Sequence, residues 1–565
     1  MVKYLYFLAF AFLLFSGKQT IAQSWSWASE IGDTTGHTAI YAMHRYSDSE
    51  ILIAGTYSSR TIKFGAETLK NNGYSDVLTA LIDTSGNQLW AVGFGGTSEE
   101  HATAITSDSY GNIYIVGNFS SLTMKAGNTT LINKGETDGF LVKINTQKEV
   151  EWAVGFGGSA IDEITGVATD SEGYIYVSGH SVDYQNALFS VFITKFDASK
   201  NKIWERKGNT QGWNTRTTSL IVDDADNIYL AGSFSDVLTF DGNHNIISSM
   251  EGEEPYIYYA ENAFIVKYSS SGDFMKAKTI ENFSKVNDLT ANASHIYVCG
   301  EKINHGMGWG WPLSDSKIFT AKYNNNLELV WEKTAGGETP FQSLDIAKAI
   351  NTDQEGNVYL TGSFFSENID FGSYTLNNVL NKDYYYQMTF VLKYDSNGKE
   401  EWGKAMGDSL CDNGNAILAI GNDRYLLAGT YESNKIRFGN HTLHNNSEVK
   451  EMYVHLREPR QSRNMFSFVA LQNEYGTGIK PINNNNQTKI FPNPASQFIT
   501  ISLTNDHPSG GEVTFFSHDG RLIRTQNIVP GEQQLKVDVE NLRNGIYLVK
   551  VKTGNYVSVQ KLVKE

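Results

Sequence analysis

The residues best placed to do chemistry are carboxylates and aromatics set in turn-rich segments. Glu99, Glu100, Asp162, Glu163 and Asp412 fall in the connections between successive strand-like runs. Carboxylates around one opening can serve acid–base chemistry or hold a cation, and they also describe a solvated loop. Asp83-Thr-Ser-Gly86, followed by Trp90, reads as a hairpin turn with a Trp wedged between repeats. Asp223-Asp-Ala-Asp-Asn227 is acidic enough for a calcium loop but lacks the glycine and the distal glutamate of one, so it reads as a turn. No Gly-x-Ser-x-Gly elbow on a strand–helix turn, no His-Glu-x-x-His and no P-loop is present. Cys299 and Cys411 have no His pair near them for zinc, and Cys299, within the strand-like run 296–300, reads as a buried free thiol. No cofactor and no metal is expected.

The second group is aromatic. Tyr256, Tyr258 and Tyr259 lie in one long connection, Trp309 and Trp311 in the next, and Tyr384, Tyr385 and Tyr386 in the one after. Trp213 precedes the first of them. Rings presented on loops stack on sugar faces or anchor protein partners, and they also cover small cores of their own.

A repeat must position these residues. Apolar runs end on Gly55, Gly117, Gly179, Gly232, Gly300, Gly362 and Gly429, as in Gly111-Asn-Ile-Tyr-Ile-Val-Gly117. In register come strands with a central lysine, such as Phe140-Leu-Val-Lys143, Phe192-Ile-Thr-Lys195 and Phe390-Val-Leu-Lys393. A tryptophan follows at Trp90, Trp152, Trp204, Trp331 and Trp402, with Met275 once in its place. Each repeat thus offers four strands, A to D, separated by Asp/Asn/Gly turns, and seven such units describe propeller blades. The chain opens on an orphan strand D, Trp25-Ser-Trp-Ala28, and the seventh repeat ends on strand C, Phe466 to Leu471. The N-terminal strand is therefore expected to complete the last blade and remove the open edges. The B–C connections carrying the aromatic residues are expected on the same face as the D–A carboxylates.

Composition agrees with strands and turns: 19% charged residues, 12% aromatic, and 51 glycines in 565 residues. A net charge of -16 argues against a nucleic-acid partner. Lys3, the apolar run from Leu5 to Phe15 and Thr20-Ile-Ala22 read as a signal peptide cleaved before Gln23. No transmembrane segment is expected once it is removed.

Trp152-Ala-Val-Gly-Phe-Gly-Gly158, with Gly173-Tyr-Ile-Tyr-Val-Ser-Gly179 and Phe192-Ile-Thr-Lys-Phe-Asp197, resembles the bacterial SBBP β-propeller repeat. After Tyr475 the composition changes. Pro492-Asn-Pro-Ala495, Gly545-Ile-Tyr-Leu-Val549 and Lys561-Leu-Val563 resemble the type A C-terminal sorting domain of the type IX secretion system. That resemblance marks Pro492, Asn493, Pro494, Gly545, Tyr547 and Lys561 as sorting residues, and it implies a small β-sandwich read by an outer-membrane translocon in a Gram-negative bacterium. The expected architecture is all-β: signal peptide 1–22, seven-bladed propeller 23–476, linker 477–488, sorting domain 489–565. The expected function is a secreted or surface-attached module that binds a glycan or protein. The alternatives are a carbohydrate-active enzyme with acids at the propeller mouth, and a structural or adhesin spacer.

Overall fold

The computed structural model describes residues 24–183, 188–210, 212, 214–251, 258–259, 261–281, 284–306, 313–337, 344–378, 386–408, 410–421, 423–448, 450–452, 460–473, 489–502, 510–517, 522–531, 533–553 and 556–564. Every helix or strand among them is a β-strand. The signal-peptide expectation falls on residues outside this set.

The chain divides into two compact units, one of them residues 24–474. This unit holds seven sheets built on four antiparallel strands. We number them by their first strands, A: Thr38–Arg45, Glu100–Ser107, Ile161–Thr169, Arg216–Val222, Ser284–Asn292, Ile346–Thr352 and Asp412–Gly421. Strands B, C and D follow outward, as in sheet 2 with Ile113–Phe119, Asp138–Ile144 and Val150–Phe156. The A strands adjoin one another in order, and that of sheet 7 adjoins that of sheet 1. Strand D of sheet 7 is Ser24–Ile31, antiparallel to Phe466–Asn473. Trp27 stands opposite Leu471 there as Trp152 stands opposite Lys143 in sheet 2. B strands such as Ile113–Phe119 are buried along their whole length, because a neighbouring sheet covers each face.

The repeat signatures are the joints between sheets. The tyrosine of strand B is fully buried, and its hydroxyl donates to the aspartate of the A–B turn: Tyr114 to Asp108 at 2.9 Å, Tyr176 to Asp170 at 2.8 Å, Tyr359 to Asp353 at 3.1 Å. A buried hydroxyl needs such a partner. Asp223 makes the same bond to Tyr229 at 3.2 Å and accepts the amides of Ala225 and Asn227, so this segment is the A–B turn of sheet 4. The lysine of strand C reaches the C–D turn of the following sheet: Lys195 to the Ser270 carbonyl, Lys267 to Asn325, Lys322 to Ser396. The tryptophan of strand D covers the glycine of that same turn. A Cβ on Gly272 would lie 2.9 Å from Trp204, and at φ +84 only glycine is relaxed there.

The B–C connections hold an element absent from the sequence expectations. In sheets 1, 2, 4, 6 and 7 they contain a small hairpin, such as Thr61–Phe64 with Glu67–Lys70 and Lys435–Phe438 with His441–His444. These hairpins lie against the outer strands D. That of sheet 4, Val237–Phe240 with His244–Ile247, pairs directly onto strand D of sheet 3, Lys202–Thr210. So the described parts of these connections run outward to the rim rather than staying at the channel.

Residues 489–564 form two sheets. One orders Lys489–Phe491, Phe498–Ser502 and Gln534–Asp538; the other orders Leu522–Ile528, Gly511–Ser517, Gly545–Thr553 and Tyr556–Lys564. Ile499, Val537, Val513, Phe515, Val549 and Leu562 fill one core between them. No helix among the described residues is long and apolar enough to cross a membrane.

Candidate functional site: a charged cavity at the channel mouth

Every A strand carries a bulge, an extra residue left unpaired against strand B. The bulged residues are Tyr41, Thr103, Thr165, Thr218, Asn287, Lys348 and Asn415, and all line a central cavity of about 430 Å³. Several tie neighbouring sheets together. Thr103 Oγ1 donates to the Ile164 carbonyl at 2.9 Å, Asn287 Nδ2 to Ala347 at 2.8 Å, and Asn415 Nδ2 to Ile40 at 3.1 Å. Lys348 Nζ donates to Asn413 Oδ1 at 3.0 Å, and burial pulls its pKa down to about 8.

Two residues before each bulge, the side chains of four successive sheets are His101, Glu163, Arg216 and Lys285. They line a cavity of about 750 Å³ at one mouth, together with Glu99, His180, Tyr41 and several Ser and Thr hydroxyls. Glu163 faces His180 across strands A and B, with Oε2 3.2 Å from Nε2. That bond, above all, holds the Glu163 carboxyl below its ordinary range. Burial lowers the pKa of His101. Asn118 Oδ1 accepts the Ile164 amide at 2.7 Å, which fixes its amide orientation and turns Nδ2 toward His101 Nε2 at 3.4 Å. The network thus assigns the His101 proton to Nδ1. Arg216 and Lys285 both lean on Glu261, at 3.7 and 3.4 Å.

The carboxylates singled out in the sequence divide into two sets. Glu99 and Glu163 line the mouth cavity. Glu100, Asp162 and Asp412 instead hold the backbone. Glu100 accepts the amides of Gly96 (2.6 Å) and Ser121 (3.3 Å), and Asp162 accepts that of Gly158 (2.8 Å). Asp412 accepts Asp408 N and both the amide and hydroxyl of Ser433. Asp345, not foreseen, does the same with Gly337 and Ser366. Each ties the D–A connection to its own strand A, and in sheets 2, 6 and 7 also to the segment leaving strand B. Burial raises the pKa of Glu100, and raises that of Asp412 to about 7.

Trp213, Tyr256, Trp309, Trp311, Tyr384 and Tyr385 lie outside the described residues. Tyr258 and Tyr259 form a two-residue strand opposite Met250–Glu251. Tyr386 is buried with Leu410 and Cys411. Cys299 and Cys411 are both buried, and neither forms a disulfide. His101, His180, Arg216 and Lys285 were missed in the sequence. For His101, Arg216 and Lys285 the signal was a charged or imidazole residue at the opening of the small-residue run, as in Glu100-His-Ala-Thr103 and Arg216-Thr-Thr218; His180 follows the closing glycine of a strand B and carried no such signal.

Fold and export signal together define an exported β-propeller protein. Residues 151–181 match the β-propeller repeat family SBBP, and residues 489–565 match the secretion system C-terminal sorting domain. The sorting domain assigns the chain to export by the type IX system, to the cell surface or beyond it. Among curated proteins, an uncharacterized WD repeat-containing protein of Acanthamoeba polyphaga mimivirus is 23% identical over 40% of this chain and 18% of its own length. The regulatory protein FlaEY of Caulobacter vibrioides is 30% identical over 19% of this chain and 12% of its own. The chain thus spans less than a fifth of either relative. Among solved structures, the Drosophila Semaphorin 1b extracellular domains 1-2 align at 7% identity and TM-score 0.36, over 72% of this chain and 85% of that one. The Bombyx mori GH32 β-fructofuranosidase BmSUC1 aligns at 10% identity and TM-score 0.23, over 71% and 87%.

Proposed function

We propose that the chain is a secreted or surface-attached binding module on a seven-bladed propeller, closed by Ser24–Ile31 and delivered by its sorting domain. The domain plan is a signal peptide 1–22, propeller 23–476, linker 477–488 and sorting domain 489–565. The ligand is an extracellular glycan or protein, and it seats in the mouth cavity. One observation carries this reading: His101, Glu163, Arg216 and Lys285 occupy equivalent positions on four adjacent sheets around one opening. A rigid ring that repeats its backbone but varies this one position in charge offers specificity at low ordering cost. The loop aromatics Trp213, Tyr256, Tyr258, Trp309, Trp311, Tyr384 and Tyr385 would add a second contact for the same ligand, outlying from the mouth cavity.

A carbohydrate-active enzyme is the second reading, favoured by the Glu163–His180 pair. Glu100 and Asp162 weigh against an acid pair at this mouth, because backbone amides occupy them. The secreted chain, with Arg216→Ala, His180→Ala and the Trp309→Ala/Trp311→Ala pair as variants, would be screened on a glycan array and by surface pull-down. Loss of a captured ligand in the mouth variants supports the reading. No ligand on either screen, or capture that survives both mouth substitutions, removes it. Release of soluble fragments from a glycan, abolished by Glu163→Gln, would replace it with the enzyme.

A further inference from the structure

The four charged positions of the mouth are not satisfied alike. Glu163 is held by His180, and His101 faces Asn118, so both have partners across strands A and B. Arg216 and Lys285 differ. Opposite Arg216 on strand B stands Ser233, whose hydroxyl donates to Glu261 at 2.9 Å. The Arg216 guanidinium approaches Glu261 no closer than 3.7 Å, and the Lys285 ammonium no closer than 3.4 Å. A formed charge-assisted hydrogen bond lies at about 2.7–2.9 Å. Neither side chain donates a hydrogen bond among the described residues. Burial raises the pKa of Glu301, opposite Lys285, so it offsets the two cations less than an exposed glutamate would. Arg216 keeps 46% of its side chain exposed at this opening.

The rest of the lining suits a polyhydroxylated ligand. Thr56, Thr165, Thr217 and Ser233 bring hydroxyls to the cavity. Among the described residues that line it, Ala102 and Val286 are the aliphatic ones and Tyr41, 42% exposed, is the aromatic one. A protein anchor seeks a well-packed apolar pocket, which this lining does not offer. A sugar ring can use hydroxyl partners and one aromatic face. A guanidinium with open donors matches a carboxylate through two parallel N–H···O bonds. The net charge of -16 repels a long polyanion at a distance, so attraction for an acidic ligand is short-ranged and confined to the mouth.

We propose that the mouth cavity takes a carboxylated sugar at the end of an extracellular glycan. Arg216 receives the carboxylate in a bidentate pair, and Lys285 supplies the second positive charge. The Ser and Thr hydroxyls and the Tyr41 ring hold the sugar. Glu99 and Glu163, on the side of sheets 2 and 3, repel a second carboxylate and so favour a single acidic terminus over an acidic run. The proposal deepens the binding reading of this mouth and rests on it.

The test is calorimetric titration of the full chain. The probes are short oligosaccharides ending in galacturonate, glucuronate, mannuronate or sialate, their carboxyl methyl esters, and sulfated and neutral disaccharides. At least one acidic terminus should bind, and its methyl ester should bind at least roughly tenfold more weakly, the scale of losing hydrogen bonds to a charged group. Arg216→Ala should weaken binding by a similar factor with thermal unfolding unchanged. Lys285→Ala should weaken it less, and Arg216→Lys, which keeps the charge without the fork, should recover only part of the loss. Lengthening the oligosaccharide beyond three sugars should not raise the affinity. Equal binding of acid and ester, tighter binding of a sulfated or neutral sugar, parent-like binding by Arg216→Ala, or affinity that climbs with length each overturns the proposal. The mouth would in those cases still bind, and the broader reading would stand. Binding of none of these sugars overturns the proposal as well, and a protein ligand lost on His180→Ala would then show that the broader reading survives without it.

Discussion

Lys195 illustrates how one side chain joins two sheets. It is 7% exposed, its ammonium lies 3.2 Å from Asp170 and 3.1 Å from the Ser270 carbonyl, and it sits over the Tyr174 ring at 4.0 Å. A charge taken from water is tolerated only when it is paired and hydrogen-bonded, and removing one partner leaves the other stranded. Lys195→Met should therefore destabilise the propeller by about 3 kcal/mol, read as a lower denaturant midpoint. Asp412 offers a second test at this scale. Burial raises its folded pKa from an ordinary 3.8 to about 7. Its contribution to stability is then full below pH 3.8 and is lost as pH rises through 7. Asp76 and Asp288, both raised by burial to about 6, act in the same direction. His44 opposes them, since burial lowers its pKa to about 4 and its neutral form favours folding as pH rises. The clean readout is a difference: between pH 5 and 8, Asp412→Asn should show a shallower fall in thermal midpoint than the parent chain. An equal slope would mean that Asp412 is ionised throughout.

At the scale of elements, the outer strands are where a propeller is exposed to misassociation. A strand edge with free amides and carbonyls recruits other chains. The hairpin 237–247 pairs with Gly208 and Asn209 at one end of strand Lys202–Thr210, while Leu238 and Phe240 join the core behind it. Replacing 237–247 with a short Gly/Ser link should raise concentration-dependent association above that of the parent chain on light scattering, with little change at the mouth. The four strands of each repeat were legible because Tyr, Lys and Trp recur in fixed register, and each has a mechanical task at a sheet boundary. The hairpins were also written in the sequence, as Phe64-Gly-Ala-Glu-Thr-Leu69, Phe371-Gly-Ser-Tyr-Thr-Leu376 and Phe438-Gly-Asn-His-Thr-Leu443. They escaped notice because four-residue strands carry too little periodicity to stand out beside the main repeat. The mouth was half legible. Carboxylates were assigned to it by loop position, yet position does not distinguish Glu99, turned to the cavity, from Glu100, turned to its own backbone. His180 lies on a B strand, where the repeat led one to expect only packing.

At the scale of the whole molecule, the claim that needs a measurement is that the two ends of the propeller make an ordinary joint. Trp27 lies against Gly86 of sheet 1, where a Cβ would come within 2.8 Å of its ring, and its Nε1 donates to the Thr84 carbonyl at 3.1 Å. Trp204 meets Gly272 of the next sheet in the same way. If the ring closes through Ser24–Ile31, the terminal joint is loaded like the internal ones, and opening it costs as much as opening any of them. Trp27→Ala and Trp204→Ala should then lower stability by similar amounts, about 3 kcal/mol each. The two should also act on one cooperative transition, because a closed ring shares strain among all its sheets. If the terminal strand merely rests on the last sheet, Trp27→Ala will instead leave the main unfolding transition in place. It will add a separate early step, visible as faster hydrogen exchange confined to 24–31 and 466–473. Hydrogen exchange on both variants decides between the two outcomes.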